Sequence, residues 1–442
     1  MPPVRRRGRA PCASVAAPYR RGDRRRRAGD RFDVAINGTA LPDGALAGVF
    51  SRFLDVADVV RCAATCRRWA RVVAESARAL AHVLPPPGRW LPRLAIGVFH
   101  QENDAPTART RRSSASAAPP RFAPMASAAR LVQSRWRPLI GSHDNGLFHN
   151  SVPVASRNGR LVLEIQREGH ADGLRLCVCN PMSGDAAMLP PLSGPEKPRD
   201  YGCAVITGDD LHPRPRSLAH FHVLLLYNRR GFTALRCYSS DAGRWGPEAK
   251  SSVRVSGWKL RHVGQAVVRR GVAFWPLDHG ALGVRVGATA PEITEMHLLP
   301  YDVPHYWPAL RLLGVTPEDR LFFVYFGIWR GALEAKLSYF VIDGDDISTG
   351  WKEWSSLEEA IPMEQLRMTC EEARDTLKLR WVCEKSGLLF FTLGESSGHS
   401  GTFALNLQEK TVEKVADGEG HSWRNFVGYE MDTASYLASI AP

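Results

Sequence analysis

Short strand-like segments recur through the last two thirds of this 442-residue chain. Five apolar runs, rich in β-branched and aromatic residues, are bounded by Gly, Pro, Asn and Asp, a pattern typical of strands separated by turns. The runs are GRLVLE (159–164), FHVLLL (221–226), GVAFW (271–275), RLFFVYF (320–326) and GLLFFT (387–392). Their starts are 62, 50, 49 and 67 residues apart. This spacing is close to the period of about 50 residues of kelch-type propeller repeats.

The ends of the repeated region predict how the repeats close. Four of the five runs are followed about fifteen to twenty residues later by a second strand that ends in a polar turn. An antiparallel array of this kind hides its sheet edges by closing into a circle. LAIGVF (94–99) can supply a sixth unit, completed by strands near the C-terminus. We therefore predict a mostly antiparallel β domain over residues 90–442, a degenerate β-propeller of about six blades that lacks kelch and WD signatures.

The net charge of +13 is confined to two segments. Residues 1–33 hold eleven Arg and three Asp, and residues 101–137 hold seven Arg against one Glu and one Asp, so the rest of the chain sums to zero. Both segments are rich in Pro, Ala, Ser and Gly, which bury little apolar area. We expect a disordered Arg-rich tail over residues 1–37 and a flexible loop over residues 101–137. Nucleic-acid binding through these basic segments is an alternative function, and nuclear import is an alternative for the tail.

The apolar runs and the cysteine spacing indicate the cellular environment of the protein. No apolar run approaches the roughly 20 residues that a membrane-spanning helix needs, and the N-terminus has no apolar signal-peptide core. The nine cysteines form no Cys-x-x-Cys pair, which favours buried free thiols in a reducing compartment. The sequence predicts a soluble protein of the cytoplasm, the nucleus or both.

Residues 38–85 differ from the rest of the chain because their apolar residues follow a helical period. Asp43 is the predicted cap of a first helix, and Asp55 or Asp58 is the predicted cap of a second. A third helix is expected from about Thr65 to Leu84, with Ser76 interrupting its apolar stripe. The pattern therefore predicts a small all-α bundle, followed by the β domain.

The anchor residues of this bundle resemble an F-box. Leucine–proline, spaced aliphatics, a hydrophobic–Arg step and Cys-x-x-Trp occur in order in LPDGALAGVFSRFLDVADVVRCAATCRRW (41–69). In that family the module binds a Skp-type adaptor of a cullin-based ubiquitin ligase, and the remainder of the chain selects the substrate. The resemblance implies these adaptor-binding residues: Leu41, Pro42, Leu46, Val49, Phe50, Leu54, Val59, Val60, Arg67 and Trp69.

The module departs from the F-box pattern at two positions. Gly48 stands where the family usually keeps an acidic or helix-favouring residue, and Asp55 replaces the usual proline after Leu54. An inert helical bundle is the alternative to an F-box. Cys62 and Cys66 lie at i, i+4 without further ligands nearby, so core packing is favoured over a zinc site.

The β domain resembles the propeller-like F-box-associated regions of large plant F-box families. The loop LPYDVPHYWPAL (299–310) combines three prolines with three aromatics. Aromatic residues are enriched at protein interfaces. Tyr301, His305, Tyr306 and Trp307 are accordingly the predicted substrate-binding residues.

Three motifs suggest chemistry, and each has a simpler interpretation. Ser396 lies in GESSG, which fits Gly-x-Ser-x-Gly, but strands flank it where a hydrolase needs a strand followed by a helix. His220 and His222 share one strand face without a third metal ligand of suitable spacing, and DGDD (343–346) lacks the full calcium loop. We expect no metal and no cofactor, and a serine hydrolase using Ser396 remains an alternative.

These observations predict a non-catalytic substrate receptor of a Skp–cullin–F-box ubiquitin ligase. Its partners would be the adaptor, through it a cullin, and a protein target, with no membrane involved. Because the charge arithmetic leaves the β domain near neutral and self-contained, we also expect that domain to fold without residues 1–85.

Overall fold

The structure is a computed structural model. It describes residues 41–101, 119–135, 151–165, 173–192, 198, 200–211, 219–251, 254–255, 260, 265–277, 280–287, 293–300, 311–329, 332–339, 358–363, 366, 370–394, 400–418 and 423–440. None of the helices within these ranges has the length and apolar character needed to cross a membrane. The predicted tail over residues 1–37 lies outside these ranges.

Four short helices form the N-terminal module: α1 (Asp43–Phe50), α2 (Val56–Ala63), α3 (Arg67–Glu75) and α4 (Ala77–Val83). Asp55 caps α2 as predicted, because its Oδ1 accepts the backbone N–H of Ala57 at 2.8 Å. The predicted third helix is divided in two at Ser76, whose φ and ψ of −93° and 6° are not helical. Asp43 is the first residue of α1 and not its cap, since Pro42 occupies the cap position.

The remaining elements are mostly strands. The first strands along the chain and the helix after them are β1 (Ala95–Gln101), β2 (Arg121–Pro124), α5 (Ala129–Arg135), β3 (Ser151–Arg157), β4 (Arg160–Ile165), β5 (Leu176–Asn180) and β6 (Asp185–Met188). The middle of the domain contains β7 (Tyr201–Thr207), β8 (Phe221–Arg229), β9 (Phe232–Ser239), β10 (Arg244–Trp245), β11 (Ala249–Lys250), β12 (Val267–Arg269), β13 (Val272–Leu277), β14 (Gly280–Val286) and β15 (Ile293–Pro300). The last elements are β16 (Arg311–Val315), β17 (Leu321–Trp329), β18 (Ala332–Tyr339), β19 (Glu358–Pro362), α6 (Cys370–Thr376), β20 (Lys378–Cys383), β21 (Leu388–Leu393), β22 (Gly401–Asn406), β23 (Thr411–Ala416), β24 (Arg424–Glu430) and α7 (Thr433–Ala438).

These strands form six antiparallel sheets, which are the blades of a six-bladed β-propeller. Blades 1 to 5 are β3–β6, β7–β11, β12–β15, β16–β19 and β20–β23. Blade 6 is built from both ends of the domain, in the order β2-β1-β24. The predicted fold class is therefore confirmed, including a sixth unit made from residues near 94–99 and the C-terminus.

The inner strands of the blades surround the propeller axis, and the inner strand is the first strand in blades 1 to 5 and β24 in blade 6. β3 contacts both β24 and β7, β7 contacts β13 of blade 3, β12 contacts β16, and β20 contacts both β16 and β24, so the contacts return to their starting point. The ring closes where β1 pairs with β24, with Val98 opposite Gly428 and Phe99 opposite Val427. Each blade remains a separate sheet, and the ring leaves only short, protected sheet edges.

The expected flexible loop over residues 101–137 is wrong for residues 119–135. In this stretch β2 pairs with β1, with Phe122 opposite Phe99, and α5 follows it. The rings of Phe99 and Phe122 lie 4.8 Å apart, and Met125 and Ala128 are buried in the same core. Pairing with the apolar strand β1 supplies the burial that the low-complexity composition does not suggest. Residues 102–118 and 136–137 lie outside the described ranges.

One apolar core runs through both the helical module and the propeller. It joins Phe50 and Val73 of the module to Leu94, Tyr429 and Leu437 of blade 6 and the C-terminal helix. α7 packs against both α3 and α4. This shared core changes our expectation for the isolated β domain, since removal of the module would expose the apolar side chains that it covers.

Charged side chains meet at the propeller axis beneath the module. The Arg157 guanidinium lies 2.7 Å from Oδ1 of Asp210 in blade 2 and 2.5 Å from Oε1 of Glu384 in blade 5, and all three side chains are at most 10% exposed. Despite the opposing effect of burial, Arg157 and Lys385 hold the pKa of Asp210 below its ordinary value. Burial raises the pKa of Glu384 to about 7, aided by the carboxylates of Asp210 and Glu430 and opposed by Arg157. One arginine therefore joins three blades and keeps one of its two carboxylates ionised.

Deletion of residues 1–85 should lower the melting temperature of the β domain or cause it to aggregate, because the apolar side chains that the module covers would be exposed to water. Differential scanning calorimetry of the full chain and of the chain lacking residues 1–85 checks this. A chain lacking only residues 1–37 is the control and should melt like the full chain. Equal melting temperatures for all three would mean that the module contributes nothing to the core of the propeller.

The Glu384→Gln change should remove part of the pH dependence of stability. The pKa of Glu384 is raised from 4.5 in the unfolded chain to about 7. Its contribution is therefore complete below pH 4.5 and is lost as the pH rises through 7. Between about pH 5 and about pH 8 the unfolding free energy of the native chain should fall by about 2–3 kcal/mol relative to the variant. Guanidinium unfolding at both pH values measures the difference, and parallel curves would contradict the raised pKa.

Candidate functional site

The outer side of α1 and its flanks form an exposed apolar surface. Leu41 is 53% exposed, Val49 47% and Leu54 85%, and Pro42 is also exposed. Val49 lies on the exposed side of α1, Leu41 and Pro42 lie just before this helix, and Leu54 lies after it. We call Leu41, Pro42, Val49 and Leu54 the outer stripe. It contains three of the five large exposed apolar side chains in the described part of the chain.

The inner sides of α1 and α2 belong to the core. Leu46 and Phe50 of α1 are 6% and 1% exposed, and Val59 of α2 is 0% exposed. The ring of Phe50 packs edge-on against Trp69 at 5.6 Å. The side chains of these three residues are therefore buried within the module, and their contact with an adaptor stays a prediction.

The other predicted adaptor-binding residues lie at intermediate positions. Val60 and Trp69 are half-buried and pack against the core, whereas Arg67 is exposed at the start of α3. Whether these residues contact an adaptor stays a prediction.

Arg68 ties the start of α1 to α3, which sequence reasoning missed. Its Nε and Nη2 donate to Oδ1 of Asp43 at 2.9 and 2.7 Å, and Nη2 also donates to the carbonyl oxygen of Leu41. The hydrogen bond from Arg68 lowers the pKa of Asp43. The only sign of this contact in the sequence is the acidic residue Asp43 at the start of α1. The sequence predicts that Asp43 caps the helix, whereas in the structure its carboxylate binds Arg68. These bonds hold Leu41 in position at one end of the outer stripe.

The two cysteines of the module have different roles. Cys66 is exposed and caps α3, since its Sγ accepts the backbone N–H of Trp69 at 3.5 Å. Cys62 is half-buried against the core. Core packing is therefore the wrong interpretation for Cys66. Among the residues described here, no three His, Cys, Asp or Glu side chains are arranged as a metal site would require.

Several predicted residues of the β domain lie outside the described ranges. These are the substrate-binding candidates Tyr301, His305, Tyr306 and Trp307, together with Ser396 and the acidic run 343–346. His220 and His222 are described and buried, with their Nε2 atoms 3.0 Å apart. Nδ1 of His220 lies 2.8 Å from Asp241 and Nδ1 of His222 lies 3.5 Å from Cys237. The pair therefore shares a hydrogen bond inside blade 2.

A cavity of about 370 Å³ lies where the module meets the propeller. Its lining includes the linker prolines 85–87 and the charged residues Arg157, Asp210, Glu384 and Lys385. Leu91 of the linker donates its backbone N–H to the carbonyl oxygen of Lys385 at 2.8 Å. Arg157 pairs with Asp210 and Glu384, and Lys385 pairs with Asp209, so the cavity marks the joint between the two parts of the chain.

Residues 39–78 match the F-box-like family, and the match covers α1 to α3 and the beginning of α4 but none of the propeller. No curated protein matches the chain. Nine chains of solved structures match, among them Bacteroides ovatus Xyloglucan PUL GH43B, which is 12% identical with a TM-score of 0.31. That match covers 63% of this chain and 55% of the other, so this chain spans about half the length of that protein. At this TM-score we infer neither fold nor activity from it.

Gly48→Ala should stabilise the protein. A Cβ at Gly48 meets nothing within 4 Å, and alanine in an exposed helix position is favoured over glycine by about 0.5–1 kcal/mol. Gly387→Ala is the contrasting variant, because a Cβ there would lie 2.5 Å from the Trp90 ring at a φ of +66°. Thermal melts should show a small increase for the first variant and a clear decrease for the second. A decrease for Gly48→Ala would mean that the glycine has a local conformational role.

Proposed function

We propose that this protein is a non-catalytic substrate-recognition subunit of a Skp–cullin–F-box ubiquitin ligase. The F-box-like domain would bind a Skp-type adaptor, and the propeller would bind the protein to be ubiquitinated. A cullin would be recruited through the adaptor.

The observation that carries the proposal is the division of α1 into two apolar sides. Phe50 and Leu46 complete the core of the module, while Val49 and Leu54 remain outside it. Apolar side chains at this level of exposure, gathered on one helix and its flanks, are typical of a protein interface. Their position within the residues that match the F-box-like family supports an adaptor as the partner.

The propeller supports the second half of the proposal. A closed six-bladed ring is a rigid scaffold, and rigid scaffolds present binding loops at their faces. The shared core and the linker contact at Lys385 fix the module on this scaffold. A receptor of this kind accelerates ubiquitin transfer by holding the target near the charged enzyme, so its contribution is a raised effective concentration. Tyr301, His305, Tyr306 and Trp307 remain the proposed contacts to the target.

Truncation of the outer stripe tests the proposal. The double change Leu41→Ala with Leu54→Ala should weaken binding to a purified Skp-type adaptor by roughly 30- to 1,000-fold, which corresponds to about 2–4 kcal/mol for two interface anchors. The matched control is Val83→Ala with Met188→Ala, whose side chains are 54% and 51% exposed but lie off the stripe. Isothermal titration calorimetry measures the affinities, and a thermal melt verifies the fold. If the native chain does not bind the adaptor, or if both double variants bind it equally well, the proposal is wrong.

A further inference from the structure

Lysine is absent from about half of this chain. Residues 1–196 contain thirty arginines and no lysine, and residues 415–442 contain one arginine and no lysine. All nine lysines lie within residues 197–414, where they accompany eighteen arginines. Basic side chains are therefore common throughout the chain, but the choice between arginine and lysine differs between its parts.

The lysine-free segments come together in the fold. Within the described ranges they form the helical module, all of blade 6 (β2-β1-β24), blade 1 (β3–β6) and α7. α7 contacts α3 and α4, and β24 contacts β3, so these parts adjoin one another. We call them the lysine-free sector. The described lysines lie in blades 2, 4 and 5, and they are Lys250, Lys336, Lys378, Lys385, Lys410 and Lys414.

Charge and helix propensity do not explain why the sector excludes lysine. Arg157 needs a guanidinium, because it binds Asp210 and Glu384 together. Arg67 and Arg78 are exposed helix residues, however, and neither forms an ion pair with another described residue. At such positions lysine supplies the same charge, and its helix propensity is close to that of arginine. What arginine lacks there is the reactivity of the lysine amine, since a guanidinium stays protonated in proteins.

This reactivity decides which side chains can accept ubiquitin. The unprotonated ε-amine of a lysine attacks the carbonyl carbon of the thioester that joins ubiquitin to the charged enzyme. The C–N bond of the isopeptide forms, the C–S bond breaks, and the sulfur leaves as a thiol with the proton that the amine loses. A guanidinium keeps its protons at neutral pH and offers no lone pair for this attack.

We propose that the lysine-free sector excludes self-ubiquitination from the module and the blades beside it, and confines it to lysines within residues 197–414. The inference rests on the proposed function, because it concerns the ligase of which this chain would be the receptor. Holding the charged enzyme in one complex raises its effective concentration for every amine of that complex, including those of the receptor. Arginine in place of lysine removes the acceptors from the adaptor-binding part of the chain and keeps its charge.

The exposure of the remaining lysines predicts which of them accept ubiquitin. Lys410 and Lys414 lie in blade 5 with side chains that are 50% and 43% exposed, and their carboxylate partners are exposed as well. Ion pairs at the surface are weak and leave the amines accessible. Lys385 is only 17% exposed and lies 3.5 Å from Asp209 in the joint beneath the module. We therefore expect modification at Lys410 and Lys414 and protection of Lys385.

Lysines placed in the sector test the inference on the full chain. Arg61→Lys with Arg78→Lys, the module variant, keeps both charges and supplies two exposed amines. The matched control is Arg230→Lys with Arg244→Lys, at two exposed positions of blade 2. Each chain is incubated with a Skp-type adaptor, the cullin-based ligase, ubiquitin and its activating and conjugating enzymes, without a target. Mass spectrometry of tryptic peptides locates the attached ubiquitin, and a thermal melt verifies each fold.

The native chain should carry ubiquitin at Lys410 and Lys414 but not at Lys385. The module variant should also carry it at position 61 or 78, with an occupancy within roughly threefold of that at Lys410, because the raised effective concentration serves every exposed amine of the complex. The blade 2 control should be modified at its new positions to a similar extent. Omission of the adaptor should abolish all of these modifications.

The outcomes distinguish this inference from the function on which it rests. If Lys410 and the blade 2 control are modified but positions 61 and 78 are not, the inference is wrong, because the sector then needs no protection. It is also wrong if the adaptor binds and no chain is modified, or if omitting the adaptor changes nothing. These results leave adaptor binding intact. A native chain that does not bind the adaptor overturns the proposed function, and this inference with it.

Discussion

The pairing of β1 with β24 is the constraint on which the rest of the structure depends. It joins the beginning of the β domain to its end and completes blade 6. Blade 5 packs closely on this strand, since a Cβ at Gly428 would lie 2.4 Å from the ring of Trp381. Beside it, the hydroxyl of the fully buried Tyr429 donates to the carbonyl oxygen of Gly159 in blade 1 at 3.0 Å. Blade 6 thus contacts both of its neighbours through residues of one strand, and any loss of this strand would open the ring.

Ring closure also decides where the helical module lies. The chain leaves β24 directly into α7, whose first turn is capped by Asp432 through the backbone N–H of Ser435 at 2.6 Å. The same carboxylate accepts a hydrogen bond from Asn180 of blade 1 at 3.1 Å. Because α7 then packs on α3 and α4, closing the propeller builds the surface that receives the module. A helical unit of some 45 residues gains from the propeller the apolar contacts that a domain of its size lacks alone.

At the propeller axis the blades are joined by buried ion pairs and hydrogen bonds, whereas apolar packing joins them at the β1–β24 closure. Arg157, Asp210 and Glu384 are nearly inaccessible to water. Removing one partner of a buried ion pair typically destabilises the folded state by about 3–5 kcal/mol, because the remaining charge is left without a partner. The backbone N–H of Val268 adds a bond to Glu384 at 3.2 Å, and Arg157 donates to the carbonyl oxygen of Val268 at 3.2 Å. These directional bonds connect blades 1, 2, 3 and 5 at a point where apolar packing alone would permit the blades to slide.

The sequence by itself determined the classes of element and their order. The period of the apolar runs predicted the blades, and a helical period in residues 41–84 predicted the module, because both patterns are local consequences of where side chains point. The sequence did not separate Leu46 and Phe50, which are buried, from Val49 and Leu54, which are exposed, since all four fit one apolar pattern and only packing against α3 and the propeller divides them. Nor did it identify β2 inside a low-complexity stretch, whose burial comes from β1, or the meeting of Arg157 with Glu384, which lie in blades 1 and 5. Contacts between residues so distant in the chain leave no local period, and only the closed tertiary structure decided them.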